Sequence, residues 1–153
     1  LGVTTEINLH TPALLPNDYC PDVHERLTLY KRLASAADTD ALEGLTEELV
    51  DRFGKLPEPA HALIETHRLR LIAEALGLSR IDAASEAIVL QFGQDSTVEP
   101  ETIIRYLQSQ KDVRMTGSDR IRITLKDADL NTRLQRIRAT CKALKPQAQL
   151  AKV

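Results

Sequence analysis

The segment Asp51–Glu65, DRFGKLPEPAHALIE, separates two amphipathic patterns with a glycine and two prolines. Gly54 can end a helix because glycine takes the left-handed C-terminal position without a Cβ penalty, and Phe53 can close the corner against the next helix. Pro57 prevents the first helix from continuing, and Pro59 suits the first turn of a second helix, where backbone amides have no partner to lose. The segment therefore predicts a stiff joint between two helices.

The helix before this joint has an apolar face and an acidic face. Asp38 or Thr39 can cap its start. The apolar positions recur at steps of three or four residues, and they are Leu42, Leu45, Leu49 and Phe53. The acidic positions recur on the opposite side of the cylinder, and they are Asp40, Glu43, Glu47 and Asp51, extended by Glu48. This row is either an ordinary solvated face or a docking surface, because acid–base catalysis requires a desolvated carboxylate.

Helical patterns also lie on both sides of that helix. From Asp22 to about Ala36 the sequence predicts a helix whose apolar stripe is Val23, Leu27, Tyr30 and Ala34, widened by Leu29 and Leu33. After the joint, roughly Glu58–Leu76 is apolar on two sides, which is typical of a central helix. Gly77 ends this helix.

Beyond Gly77 the pattern changes to alternation between polar and apolar residues. It predicts strands at Arg80–Ala83, Glu86–Phe92, Val113–Thr116 and Arg120–Leu125. Helical spacing returns at about Pro100–Gln110 and from Asp127–Asp129 to Pro146. With a strand at Thr5–His10, this predicts an α+β fold. An N-terminal strand and three helices precede two ββα units, which form a small, mostly antiparallel sheet packed on helices. We expect a single domain over 1–153, with an initial strand and loop in 1–20 and a loose tail at 146–153.

Composition limits the class of protein. The chain has 153 residues, of which 42% are hydrophobic, enough for a compact core. No apolar run reaches the roughly 18–20 residues of a membrane span, and the start lacks the order of a signal peptide. We therefore expect a cytoplasmic location and no membrane partner. Because the chain starts on Leu, we expect it to be a piece of a longer protein. Cys20 and Cys141 are far apart, which favours free thiols in a reducing compartment.

Sequence signatures of catalysis are absent. The chain has no GxxxxGK[ST], GxGxxG, HExxH or GxSxG motif. His61 and His67 are six residues apart, about 120° around a helix, which is poor geometry for one metal ion. Cys141 falls on an apolar stripe, and Cys20 has no local base or cation to activate it. We therefore expect no catalytic, cofactor-binding or metal-binding residues, and no enzymatic activity in this chain.

The two ends of the chain carry opposite charge. Residues 1–110 contain 9 Lys and Arg against 18 Asp and Glu, whereas residues 111–153 contain 11 against 4. The basic side chains that could meet phosphates are Arg120, Arg122, Lys126, Arg133, Arg136, Arg138, Lys142 and Lys145. No aromatic residues interleave to stack bases. A nucleic-acid-contacting module that uses this basic C-terminal end is therefore an alternative function, and two ordinary solvated surfaces are the simpler interpretation.

Two motifs in succession resemble a known family. EINLHTPALLPNDYCPDVHERLTLYKRLASA (Glu6–Ala36) and ELVDRFGKLPEPAHALI (Glu48–Ile64) are similar to the C-terminal domain of the bacterial transcription-repair coupling factors, the Mfd family. In that family a PDVxxRLxLYKR helix precedes a helix ending in DRFGxLP at this same distance. The resemblance is strong over about Thr5–Leu78, and from Ser79 onward only the order of elements matches.

This resemblance implies a function for the chain. The parent would be an ATP-driven, helicase-like translocase on double-stranded DNA that displaces stalled RNA polymerase and recruits the repair protein UvrA. ATP and Mg²⁺ would bind only in its motor domains, so this chain would have no cofactor. The C-terminal domain would be a monomeric autoinhibitory module, docked on the parent's N-terminal UvrB-like module and masking the UvrA-binding surface. The family's docking surface carries over to Glu48, Asp51 and Arg52, and we extend it to Glu47, Asp40 and Glu43.

Overall fold

The structure, a computed structural model, describes residues 5–146. The elements in chain order are β1 (Glu6–Asn8), α1 (Val23–Ser35), α2 (Thr39–Phe53), α3 (Glu58–Leu76), β2 (Leu78–Ala83), β3 (Ala87–Phe92), α4 (Pro100–Ser109), β4 (Val113–Met115), β5 (Arg120–Thr124) and α5 (Leu130–Leu144). This order confirms the predicted α+β fold, with a strand and three helices before two ββα units. Most of the predicted tail, residues 147–153, lies outside the described residues.

By its internal contacts the chain divides into two compact units. The helical unit is Thr11–Leu71 and contains α1, α2 and most of α3. The sheet unit comprises the chain up to His10 and from Ile72 onward, and it contains all five described strands with α4 and α5. The single domain expected over 1–153 stays a prediction.

The core of the helical unit is built mainly from leucine. Its buried residues are Leu15, Cys20, Leu29, Leu33, Ala36, Leu42, Leu45, Leu49, Ala60, Leu63 and Ile64. Of the predicted α2 stripe, Leu42, Leu45 and Leu49 are buried and Phe53 is half-buried. The α1 stripe is partly wrong, because Leu29 and Leu33 are buried whereas Val23 and Leu27 are 55% and 53% exposed. At about 100° per residue, Val23 and Leu27 lie on the far side of the helix from Leu29.

The joint between α2 and α3 has the predicted stop and start signals. α2 ends at Phe53, and Gly54 follows it with φ 92° and ψ −169°. This is an extended conformation at positive φ that glycine adopts almost alone, and not the left-handed helical one that we predicted. Pro57 and Pro59 flank the first residue of α3, so Pro59 lies in the first turn as expected.

Tyr19, in the loop before α1, closes the end of α2. Its hydroxyl donates to the carbonyl oxygens of Leu49 and Gly54 at 3.1 and 2.8 Å. Its ring centroid lies 5.5 Å from that of Phe53. One hydroxyl group is thus shared between a carbonyl in the last turns of α2 and the carbonyl of Gly54 just beyond the helix end, and it ties the loop before α1 to the joint.

The sheet has five strands in the order β1-β2-β3-β5-β4. β1 and β2 are parallel, and the other three pairings are antiparallel, so the sheet is mostly antiparallel as predicted. Its inner face is fully buried at Ile81, Ile88, Leu90, Ile121 and Ile123. Alternate residues of the same strands form the outer face, because side chains of a strand point to opposite faces in turn.

Helix α5 is attached to the sheet by an arginine as well as by apolar residues. The helical spacing of the sequence predicts a stripe of Leu130, Leu134, Ile137, Cys141 and Leu144, of which Leu130 is half-buried and the other four are buried. Arg133, only 8% exposed, donates to the carbonyl oxygens of Leu9 and Ala83 at 2.6 and 2.7 Å. These carbonyls lie at or just after the ends of β1 and β2, so Arg133 stabilises the sheet unit from inside.

Candidate functional site

The acidic side of α2 divides into three groups, and the first faces solvent. Asp40, Glu47 and Asp51 are all exposed, and none makes an ion pair with another described residue. Their spacing of seven and four residues keeps them on one side of the helix. We call these three side chains the outward row. Asp40 also lies in the first turn of α2, where a negative charge is favourable to the helix dipole.

The second group is the single residue Glu48, which faces α1 and pairs with two arginines. Arg32 donates from Nη1 and Nη2 to the two carboxylate oxygens of Glu48 at 2.7 and 2.8 Å. Arg52 approaches the same carboxylate at 3.3 Å and also pairs with Glu25. The hydrogen bonds from Arg32 hold the pKa of Glu48 below its usual value. We call Glu25, Arg32, Glu48 and Arg52 the α1–α2 charge network.

The third group is the single residue Glu43, which is directed to α3. Glu43 pairs with Arg68, which also lies 3.3 Å from Glu65 of α3 itself. Glu43 therefore differs from the outward row, although the sequence pattern placed it there. Its charge is already compensated inside the helical unit.

The charge network is connected to the joint. The Arg52 guanidinium lies 4.9 Å from the centre of the Phe53 ring, so the last turn of α2 holds this cation over an aromatic face. Of the docking residues carried over from the family, Glu48 and Arg52 are in direct contact, whereas Asp51 belongs to the outward row. The joint and the docking residues carried over from the family thus occupy the same end of α2.

Glu25 and Arg32 belong to this site, although the sequence pattern did not identify them. They are seven residues apart, so they share one face of α1, as Glu48 and Arg52 share one face of α2. Opposite charges at these spacings on successive helices are a usable signal. It becomes specific only when the pairing of the two helices is known.

The predicted basic end is partly engaged within the sheet unit. Arg133 is buried, and Arg136 donates from both terminal nitrogens to Asp112 at 2.7 Å each. Arg136 holds the pKa of Asp112 below its ordinary value. The prediction that Arg133 contacts phosphate is wrong, and Arg136 already has a carboxylate partner. The other predicted basic side chains are exposed or half-buried, and they are Arg120, Arg122, Lys126, Arg138, Lys142 and Lys145.

A cavity of about 430 Å³ lies in the sheet unit beside the turn at Gly77. Its acidic lining residues are Glu74, Asp95 and Asp119, of which Asp119 accepts a hydrogen bond from Gln91 at 3.1 Å. Within residues 5–146 no group of three His, Cys, Asp or Glu side chains is arranged to hold a metal ion. The cavity therefore gives no evidence of a metal centre.

The cysteines and the helices give no other site. Cys20 and Cys141 are free and buried, and burial raises the pKa of the Cys141 thiol to about 12. A thiol with so high a pKa is a poor nucleophile. Among the described helices, none has the length and apolar character needed to cross a membrane.

The fold and the charged helices define a class, an α+β module that presents surface charge and, in its described part, no recognisable catalytic constellation. The chain belongs to the TRCF domain family, whose sequence model matches residues 9–103. This finding confirms the family resemblance seen in the two motifs.

Individual relatives agree with this assignment. The chain is 37% identical over 145 residues to the transcription-repair-coupling factor of Escherichia coli, covering 94% of this chain and 13% of that protein. It is 42% identical over 83 residues to that of Mycobacterium tuberculosis, covering 54% and 7%. A crystal structure of the C-terminal domain of transcription-repair coupling factor superposes with a TM-score of 0.79 at 20% identity, covering 92% of this chain and 91% of that one. The chain thus spans a small fraction of its full-length relatives.

Proposed function

We propose that this chain is the C-terminal regulatory domain of a transcription-repair coupling factor. In this proposal it docks α2 on the parent's N-terminal UvrB-like module, covers the UvrA-binding surface and restrains the DNA translocase until RNA polymerase is engaged. The observation that carries the proposal is the outward row. Three exposed carboxylates without ion pairs lie on a helix whose opposite face is fixed by buried leucines.

The two parts of the surface have different roles in this proposal. The outward row attracts basic groups of the partner, because its charges are not compensated within the described chain. Arg32 holds both oxygens of Glu48, so Glu48 acts mainly by keeping Arg52 in position. Arg52 and Asp51 are then the side chains that meet the partner directly.

A charged contact suits a restraint that has to open. Exposed ion pairs are resolvated at modest cost when they separate, and their attraction depends on salt. A shift of about 1.4 kcal/mol changes the ratio of closed to open states tenfold, so a few such contacts are enough for regulation. The stiff joint after Phe53 would hold the acidic end of α2 at a fixed angle during docking.

The test is a titration of this chain against the separately produced N-terminal module, with and without UvrA. We expect Glu47→Lys/Asp51→Lys to weaken binding about tenfold or more, because it replaces attraction with repulsion. The matched control is Asp95→Lys/Glu99→Lys, an identical charge change on exposed residues of the sheet unit, which should bind normally.

A second variant tests the network. Arg32→Gln releases Glu48 without changing any residue of the outward row, and we expect a smaller loss of affinity. Competition by UvrA for the wild-type contact would support masking. Equal losses in the outward-row variant and its matched control would reduce the effect to net charge and overturn the assignment of this surface.

A further inference from the structure

The outer face of the sheet carries its charges unevenly. At the β4–β5 end, Arg114 and Arg122 lie directly opposite each other on neighbouring strands. Arg120 follows on the same face of β5, two residues from Arg122 and opposite Gln91 of β3. Arg114 and Arg120 are exposed and Arg122 is half-buried. We call Arg114, Arg120 and Arg122 the arginine face.

This face is poorly neutralised. Asp119 approaches Arg120 at 3.8 Å, but it also accepts a hydrogen bond from Gln91 at 3.1 Å. Neither Arg114 nor Arg122 forms an ion pair with any residue between 5 and 146. Like charges directly opposite each other weaken a sheet, so folding gives no reason for this pair.

The other end of the same face shows the contrast. Arg80 on β2 lies 2.9 Å from Asp82 of its own strand and 3.9 Å from Glu6 of β1. There the sheet compensates its arginine with two carboxylates. At the β4–β5 end the comparable positions are occupied by further arginines, which concentrates positive charge on one patch.

The chemistry of the patch fits phosphate. Guanidinium groups bind phosphate oxygens through paired donors. Because directly opposite residues lie only about 4.5–5.5 Å apart, Arg114 and Arg122 can bind one phosphate or two neighbouring phosphates of one backbone. The side chains that dominate affinity in protein interfaces are most often aromatic or apolar anchors. Between the arginines and β2 the outer face offers only half-buried Val89 and Gln91. Phosphate binding needs charge alone.

We propose that the arginine face binds the phosphate backbone of nucleic acid without reading its sequence. This goes beyond the regulatory docking proposed above, and it uses the sheet unit instead of α2. It also narrows the basic end predicted from the sequence to the sheet strands, and it adds Arg114, which that prediction did not include.

The experiment measures binding of the whole chain to a short fluorescent DNA duplex by anisotropy at about 50 and 200 mM salt. The test variant is Arg114→Gln/Arg122→Gln. The matched control is Lys142→Gln/Lys145→Gln, which removes two exposed charges from the end of α5 and its cap. We expect the arginine variant to lose about tenfold in affinity. Its plot of log K against log salt should also become less steep, with a slope smaller in magnitude by about two. The lysine control should stay within about threefold of wild type.

Folding is checked in the same samples. Because Arg114→Gln/Arg122→Gln removes two like charges from directly opposite positions, its denaturation midpoint should be equal to or above that of wild type while its affinity falls. A merely structural role for these arginines would lower both. A duplex of permuted sequence should bind equally well.

Three outcomes overturn the proposal. Wild type that shows no binding at about 50 mM salt would remove nucleic acid as the occupant. Equal losses in the arginine variant and the lysine control would show attraction by net charge only. Dependence on Arg114 and Arg122 for binding polyglutamate, without duplex binding, would assign the face to an acidic protein.

Discussion

The two units treat surface charge in opposite ways. In the helical unit, Arg32 meets Glu48 across two helices and forms two hydrogen bonds with it. In the sheet unit, Arg114 meets Arg122 across two strands and neither has a carboxylate partner among the described residues. Paired charges of the first kind position side chains. Opposed like charges of the second kind weaken the fold, so they are the stronger indication of an external ligand.

The largest expected difference between the units concerns their glycines. At Gly77, φ is 72°, and a Cβ atom would lie 2.5 Å from the Cα atom of Ser96. At Gly54, φ is 92°, but no atom lies within 4 Å of a Cβ. We expect Gly77→Ala to destabilise the sheet unit by about 4 kcal/mol, from backbone overlap and strain together, and Gly54→Ala to destabilise the helical unit by about 2 kcal/mol, from strain alone.

Hydrogen exchange, followed separately for the amides of each unit, measures the loss of stability in both variants. A single melting curve would not assign that loss to one unit. Gly44→Ala is a control, since Gly44 lies within α2 with no atom within 4 Å of a Cβ. It should stabilise the helix slightly, because alanine has the higher helix propensity. If Gly77→Ala and Gly54→Ala had equal effects, the overlap at Gly77 would be relieved by movement of the loop.

The stability of the two units should also change in different pH ranges. Burial lowers the pKa of His67 below its ordinary value of 6.5, and the nearby Arg70 guanidinium adds to this effect. The unfolded chain then binds the proton more tightly, so stability from His67 is lost as pH falls below about 6.5. In the sheet unit, hydrogen bonds from Arg136 lower the pKa of Asp112 below 3.8, and that contribution is lost only as pH falls below about 3.8.

We therefore expect exchange in the helical unit to accelerate as the pH falls below about 6.5, after correction for intrinsic rates, before exchange in the sheet unit does. His67→Gln should remove most of that response. His61→Gln, on the same helix, is the control. A pH response unchanged in His67→Gln would assign the effect to other groups.

The smallest expected effects differ in sign. Arg122→Gln should raise the stability of the sheet unit by about 0.5 kcal/mol, because it relieves the contact between like charges. Arg32→Gln, the same chemical change, should lower the stability of the helical unit, because Glu48 loses its two hydrogen bonds from Arg32. Urea titration followed by hydrogen exchange measures both. Destabilisation by Arg122→Gln would mean that its aliphatic stem stabilises the sheet more than its charge weakens it.

Local patterns predicted the elements of the fold but not their partners. The α2 stripe, the joint and the succession of helices and strands along the chain follow from periodicity and from glycine and proline, which act over a few residues. On α1, apolar residues occupy two sides, so periodicity alone placed the exposed Val23 and Leu27 in one stripe with the buried Leu29. The partner of Glu48 lies 16 residues away in sequence, and the opposition of Arg114 and Arg122 depends on strand register. Such pairings are set by tertiary structure.

The strand order places β1 and β4 at the two edges of the sheet, and each has only three residues. An edge strand exposes backbone groups that can pair with an edge of another molecule and start aggregation. Short length limits this risk, and Arg114 in the middle of β4 opposes a second copy by repulsion. The same guanidinium that we assign to phosphate binding therefore also helps to keep the sheet from associating with itself.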